Sequence, residues 1–195
     1  MRLVIIKFLY LICSPVFTIL LKLRGVTTDG MLFTSGFPYV FRGSKSYILF
    51  GKRVRMLNLS WMNSIGLNHR CIITTERNAK LTIGDYVGMS GVSIWCFKKI
   101  EIGNNVRIGA NTLITDGDAH LDDPRACEPR PVHISDKVWL GMNVTVLKGV
   151  TIGKNTLIGA GSVVTKDIPA NVVAAGNPCR VVKQLDEKTI KKLES

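Results

Sequence analysis

The sequence is short of paired cysteines, of acidic residues and of long uninterrupted apolar runs, and each shortage argues against a class of protein. Its five cysteines (Cys13, Cys71, Cys96, Cys127, Cys179) are odd in number and widely spaced, with no C-x-x-C pair. That argues against a disulfide framework and a cysteine zinc site, and fits a reducing compartment. Fourteen acidic residues stand against 26 basic ones, a net charge of +12. Such an excess suits a polyanion, an anionic membrane surface or a phosphorylated ligand. Nucleic acid is the weakest of these. No helix-turn-helix, zinc-finger or RNP signature is present, and the lysines are scattered over corners. A spanning helix needs about 20 apolar residues with few breaks. The most apolar stretch, residues 1–24, is interrupted by Lys7, Ser14, Pro15 and Lys22. No small-x-small site follows it, so a cleaved signal peptide is not expected.

What the sequence does have is a six-residue word, repeated over residues 102–169. Every sixth residue is aliphatic: Ile102, Ile108 and Ile114, then Ile134, Leu140, Val146, Ile152, Ile158 and Val164. The fourth residue of the word mostly tolerates positive φ, as at Asn105, Asn111, Asn143, Gly149, Asn155 and Gly161, with Lys137 out of pattern. Six is too short for helical repeats and wrong for a coiled-coil heptad. It suits a short strand and a tight corner, so three words make one triangular turn of a parallel β-helix with the aliphatic column inside. The 195 residues suit one all-β domain with a sizeable core. The word is interrupted once, from His120 to His133.

On a 3.6-residue wheel, Lys7, Ser14, Thr18 and Lys22 share one narrow face of residues 1–24. That pattern suits a helix in a membrane interface, with Arg2, Lys7, Lys22 and Arg24 meeting anionic head groups. A helix packed on the solenoid or on a neighbouring subunit is the alternative. Residues 25–47, rich in glycine, are expected to form an irregular cap. Degraded words at Phe50-Gly51 and Ile65-Gly66 mark early coils, so the β-helix is expected over 48–185, with an excursion loop at 120–133. Residues 186–195 are expected to form a short terminal helix with Asp186 as its N-cap.

The repeat, the excursion after DGDA (116–119), KVWLG (137–141) and LIGAGSVVTKDIPANVVAAGNPCRVV (157–182) resemble the hexapeptide-repeat acyltransferases. Within that family they are similar to the galactoside and maltose O-acetyltransferases. The words IGLNHR (65–70) and IGDYVGMSG (83–91) look like the capsular and exopolysaccharide O-acetyltransferases. The resemblance implies a left-handed parallel β-helix, a homotrimer, and acetyl-CoA lying between neighbouring prisms.

Moving an acetyl group from a thioester to a sugar hydroxyl needs a base near pH 7, and histidine is the natural one. His120 opens the interruption and matches the family's D-x-D-x-H position, so it is expected to deprotonate the acceptor. Asp118, or Asp116, would orient its ring. By family position Trp139, Gly141 and Met142 line the pantetheine channel. Ala160, Thr165 and Lys166 contact the pantetheine and adenosine half, and Arg180 and Lys183 approach the phosphates. Ser90, Gly91, Ser93, Asp116 and His69 are candidates for the acceptor pocket, while His133 is expected to be structural. Related prisms that bind zinc place two histidines a few residues apart. Here 120 and 133 are too far apart, so no metal is expected.

The expected function is therefore O-acetylation of a surface polysaccharide or a lipid-linked glycan precursor, in the cytoplasm at the inner face of the cell membrane. The rival readings are N-acetylation of an amino sugar or small molecule, a non-enzymatic scaffold, and nucleic-acid binding.

Overall fold

In the computed structural model, which describes residues 2–120 and 122–194, the chain winds into a three-faced prism of short strands. The first face stacks Thr27–Thr28, Tyr47–Phe50, Lys80–Ile83, Lys99–Ile102, Val132–Ile134 and Thr151–Ile152. The second stacks Phe33–Ser35, Arg55–Leu57, Gly88–Ser90, Arg107–Ile108, Trp139–Leu140, Leu157–Ile158 and Val172–Ala175. The third stacks Tyr39–Arg42, Ile72–Thr75, Ser93–Cys96, Leu113–Thr115, Thr145–Val146 and Val163–Val164. Each strand pairs in parallel with the strand one coil away, as Ile100 with Leu81 and Val132.

The six-residue word explains this winding. Its aliphatic position points inward in every coil, so Ile114, Ile134, Leu140, Val146, Ile152, Ile158 and Val164 are all fully buried. Burying each such side chain contributes roughly 1.5–3 kcal/mol before entropy is counted. Its fourth position turns the corner with φ near +60°, at Asn105, Asn111, Asn143 and Asn155, and also at the out-of-pattern Lys137 (φ 59°). Corners are stitched by side chains too. Asp85 accepts from the Lys52 N–H (2.7 Å), Asn104 from Asp85 (2.8 Å) and Asp136 from Asn104 (2.6 Å). Glycine precedes each of these contacts for lack of room: a Cβ on Gly84 would sit 2.7 Å from the Asn104 carboxamide oxygen.

A parallel stack leaves strand edges open at both ends. At the start the edge is covered by helix α1, Arg2–Leu23. The Ser14 hydroxyl accepts from the Thr34 N–H and the Thr18 hydroxyl from the Leu32 N–H, each at 3.0 Å. The fit is metric: four residues of helix rise about 6 Å, and two residues of strand about 6.6 Å. Phe17 and Leu21 drop from the same helix face onto Val26 and Leu32 and plug the prism. At the far end Arg180–Gln184 folds back antiparallel on Val172–Ala175, so parallel growth stops. Helix α2, Glu187–Glu194, follows, with Asp186 accepting from the Thr189 N–H (2.7 Å) as its N-cap.

Four expectations differ from this picture. Residues 25–47 are not an irregular cap but the first complete coil, in register through Thr28, Thr34 and Val40. The cap is α1. Its hydroxyls face the protein rather than water, because they replace the carbonyls of a missing strand. Ile65 is no core residue: it is exposed on an excursion, residues 58–71, that leaves the corner between the second and third faces. The expected excursion at 120–133 begins earlier, since strand structure stops at Thr115 and resumes at Val132. Arg2 and Lys7 lie in α1, but their side chains, like Met1, Leu121 and Ser195, fall outside the described part of the molecule.

Replacing Ser14 with Ala leaves the buried Thr34 N–H without its acceptor, at a cost of roughly 1–3 kcal/mol. The urea midpoint of unfolding should fall accordingly, with the β-rich circular dichroism spectrum of the native state unchanged.

Candidate active site

The excursion is built on a buried carboxylate. Asp116 is fully buried, and its oxygens accept from the backbone N–H groups of Phe97 (2.6 Å), Lys98 (2.8 Å) and Lys99 (2.5 Å) in the coil below. It therefore closes the corner from which the loop departs and is not exposed to an acceptor. Its neighbour Cys96 is pushed up to about 12, by burial first and the Asp116 carboxylate second, so that thiol stays protonated.

Asp118 anchors the loop from outside. Its carboxylate pairs with Lys148 in the next coil and accepts from the Cys127 N–H (2.9 Å). The Lys148 hydrogen bond, then the Cys127 N–H, hold it below the ordinary carboxylate range. These partners occupy the group expected to orient His120. The loop is pinned further by the Arg130 N–H to the Asp116 carbonyl and the Gly149 N–H to the Arg130 carbonyl, each 2.9 Å. His120 stands exposed, its ring making no hydrogen bond among the described residues. Its backbone carbonyl accepts from the Asp123 N–H (3.1 Å).

A second group of candidates lies on the second face. Trp139, half exposed, follows Arg107, Gly88 and Arg55 down one outward column of registered residues. Gly88 carries no side chain, so a trough of about 330 Å³ opens there, lined by Tyr10 of α1, Arg55, Ser90, Arg107 and Trp139 among others. Burial raises the Tyr10 hydroxyl above its usual value, opposed by the Arg55 charge. No carboxylate lines the trough, and neither Arg55 nor Arg107 makes an ion pair among the described residues. The spacing of these arginines along the chain is irregular, so Tyr10, Arg55, Gly88 and Arg107 escape a reading by motif. Only the coil register brings them together.

The remaining candidates fall on two different edges. Gly141, Met142 and Ala160 stack at the corner between the second and third faces. There a Cβ on Gly141 would lie 2.6 Å from the Ala160 nitrogen. Gly91 belongs to the same corner and is buried, 2.7 Å from the His69 carbonyl by the same measure, with Ser90 and Ser93 half-buried beside it. The His69 ring bonds the Arg70 carbonyl at 2.8 Å. Thr165 and Lys166 are exposed at the corner between the third and first faces, the edge from which the His120 excursion leaves. Arg180 and Lys183 are exposed on the final antiparallel strand. His133 stands outside the first face, 3.7 Å from the Glu101 carboxylate. Among the described residues no three histidine, cysteine or acidic side chains come together to hold a metal.

In one chain, then, His120, Thr165 and Lys166 share one edge, while Trp139, Gly141, Met142 and Ala160 belong to the second face and its far corner. The two sets stand on different sides of the prism.

Residues 131–166 match a family of known proteins, bacterial transferase hexapeptide (six repeats). Galactoside O-acetyltransferase of Escherichia coli (strain K12) is 45% identical over 93 residues, 46% of this chain and 46% of that protein. The chain spans about half the length of that relative. A hexapeptide-repeat-containing acetyltransferase from Vibrio cholerae, VCA0836, is 33% identical over 55% of this chain and 64% of that one, with a TM-score of 0.50. AntD, an N-acyltransferase from Bacillus cereus solved in complex with dTDP and 3-hydroxybutyryl-CoA, is 19% identical, covers 91% of this chain and 92% of its own, and has a TM-score of 0.68. That last likeness is one of fold: a left-handed parallel β-helix, against the usual right-handed crossover. By its repeat and its relatives, the chain is similar to the hexapeptide-repeat acyltransferases.

Proposed function

We propose that the protein transfers an acetyl group from acetyl-CoA to a hydroxyl of an anionic saccharide, a surface polysaccharide or its precursor. The observation that carries this reading is the exposed His120 ring on an excursion anchored at Asp116 and Asp118. The acceptor hydroxyl gives its proton to the ring, and its oxygen attacks the thioester carbonyl. The tetrahedral adduct collapses by breaking the C–S bond, and the leaving sulfur takes the proton back from His120. The galactoside relative acts on a sugar by its name, which supports the same class of acceptor here.

The division of candidates between two edges supports a homotrimer with each site between neighbours. The His120 edge of one copy would face the Trp139 trough of the next. Coenzyme A would run over Gly141, Met142 and Ala160 on one side and Thr165 and Lys166 on the other, with Arg180 and Lys183 toward its phosphates. The acceptor would take the rest of the trough. Its arginines, Arg55 and Arg107, which make no ion pair among the described residues, favour an acceptor bearing phosphate or carboxylate, since guanidinium pairs bidentately with either.

Replacing His120 with Ala should lower kcat by at least 100-fold, measured as thiol released from acetyl-CoA, while calorimetric binding of coenzyme A is retained. Full activity in that variant sinks the reading. Replacing Arg107 with Ala should raise KM for a phosphorylated or uronic acceptor at least about tenfold and leave KM for acetyl-CoA unchanged. Asp118 supplies a pH test. A carboxyl held below its free value of 3.8 stabilises the fold above that value and loses its contribution as pH falls through the lower, folded one. The Cys127 amide should therefore stay protected from hydrogen exchange at pH 5, whereas Asp118→Asn should expose it at pH 7.

A further inference from the structure

We infer that the protein docks on an anionic membrane through the outward face of α1, with the helix axis in the plane of the interface and the starting end of the prism turned toward the lipid. The helix is placed the reverse of an ordinary amphipathic helix. Its hydroxyl-bearing stripe, Ser14 and Thr18, is consumed by the prism's open edge. The face left outward is apolar: Phe8 is 60% exposed, Ile12 48%, Ile19 58% and Leu23 79%, with Leu11, Val16 and Leu20 between them. These residues cover every turn of the helix from Phe8 to Leu23, and burying them within the protein is impossible without tearing Ser14 and Thr18 from their strand.

Two further observations name the occupant. Aromatic side chains stand exposed around the same end of the prism: Phe37, whose ring lies 6.2 Å from Phe17 of the helix, then Tyr39, Phe41 and Tyr47. Rings at the rim of an apolar patch suit the head-group layer, where one end is wet and the other dry. Charge follows the same geography. The first 75 residues carry ten basic residues and one acid, Asp29, so they hold nine of the twelve net positive charges in well under half the chain. Lys22, Arg24, Arg42 and Lys45 are exposed next to the apolar face and its aromatic rim. A protein partner needs a shaped, mixed surface; an apolar strip edged with aromatics and cations of one sign fits anionic lipid. Among the described residues no helix is long and apolar enough to cross a membrane, and the bonds of Ser14 and Thr18 hold the helix along the prism edge. Docking would also set the trough shared by Tyr10 and Arg55 beside the lipid surface, within reach of a lipid-borne acceptor.

The full-length protein should be floated with phosphatidylcholine vesicles and with vesicles of phosphatidylcholine and phosphatidylglycerol. The wild type should bind the anionic vesicles, less so at high salt, and bind the neutral ones weakly. The triple variant Ile12→Gln, Ile19→Gln, Leu23→Gln keeps good helix formers. It should lose binding by about tenfold or more for each side chain that would be buried in lipid. Lys22→Gln with Arg24→Gln should weaken binding to the anionic vesicles alone. Oligomer size and acetyl transfer to a soluble acceptor should be the same in the triple variant as in the wild type. Unchanged vesicle binding in that variant overturns the inference. So does a fall in its oligomer size, which would make the face a contact between copies. Flotation reads lipid binding whether or not acetyl transfer is found, so the two readings fail separately.

Discussion

A parallel solenoid satisfies its backbone only by stacking, and every coil lends its hydrogen bonds to the next. The whole structure depends on how the first coil, which has nothing beneath it, is closed. Here two hydroxyls one helical turn apart, Ser14 and Thr18, meet two N–H groups two strand residues apart, Thr34 and Leu32. The match of pitches sets the rotation of α1 about its own axis. Once that rotation is set, the plug formed by Phe17 and Leu21 and the outward position of Ile19 and Leu23 both follow. A local demand for acceptors thus decides which side of an apolar helix the outside world meets.

The prism was legible wherever its interior is aliphatic. From Ile102 to Val164 the phase could be read by eye, and the structure keeps it. The first coil escaped because its interior column runs through Thr28 and Thr34, which a search for aliphatics passes over. Ile65 misled in the opposite sense, an aliphatic followed by glycine that sits on an excursion in solvent. For α1 the helical wheel grouped Ser14 and Thr18 correctly, yet a hydroxyl that faces water and one that replaces a strand carbonyl have the same spelling. The site was half legible. The D-x-D-x-H word singled out His120 as a candidate, but the direction in which each aspartate points is a matter of packing: Asp116 turns inward to three N–H groups, and Asp118 turns to Lys148. The arginine column was invisible, because excursions of different length separate its members along the chain.

The same prism that makes a good core makes a poor pocket. Its faces are flat and its inside is full, so chemistry has to be assembled from what stands off the edges. His120 leaves one edge and Trp139 stands on a different face. Neither can close a site with the other inside one chain. The excursion's anchors at Asp116 and Asp118 hold the loop that carries His120 at one height along the prism.

Both excursions, 58–71 and 116–131, depart from corners and return to the strand one coil on with the interior column undisturbed. Length can therefore be added or removed at a corner with no change in the volume of the core. Such a scaffold separates constraint from freedom: the coils are fixed by geometry, while the two loops are free to lengthen, shorten and change their chemistry. The chemistry presented at a corner can change without the rest of the chain having to refold.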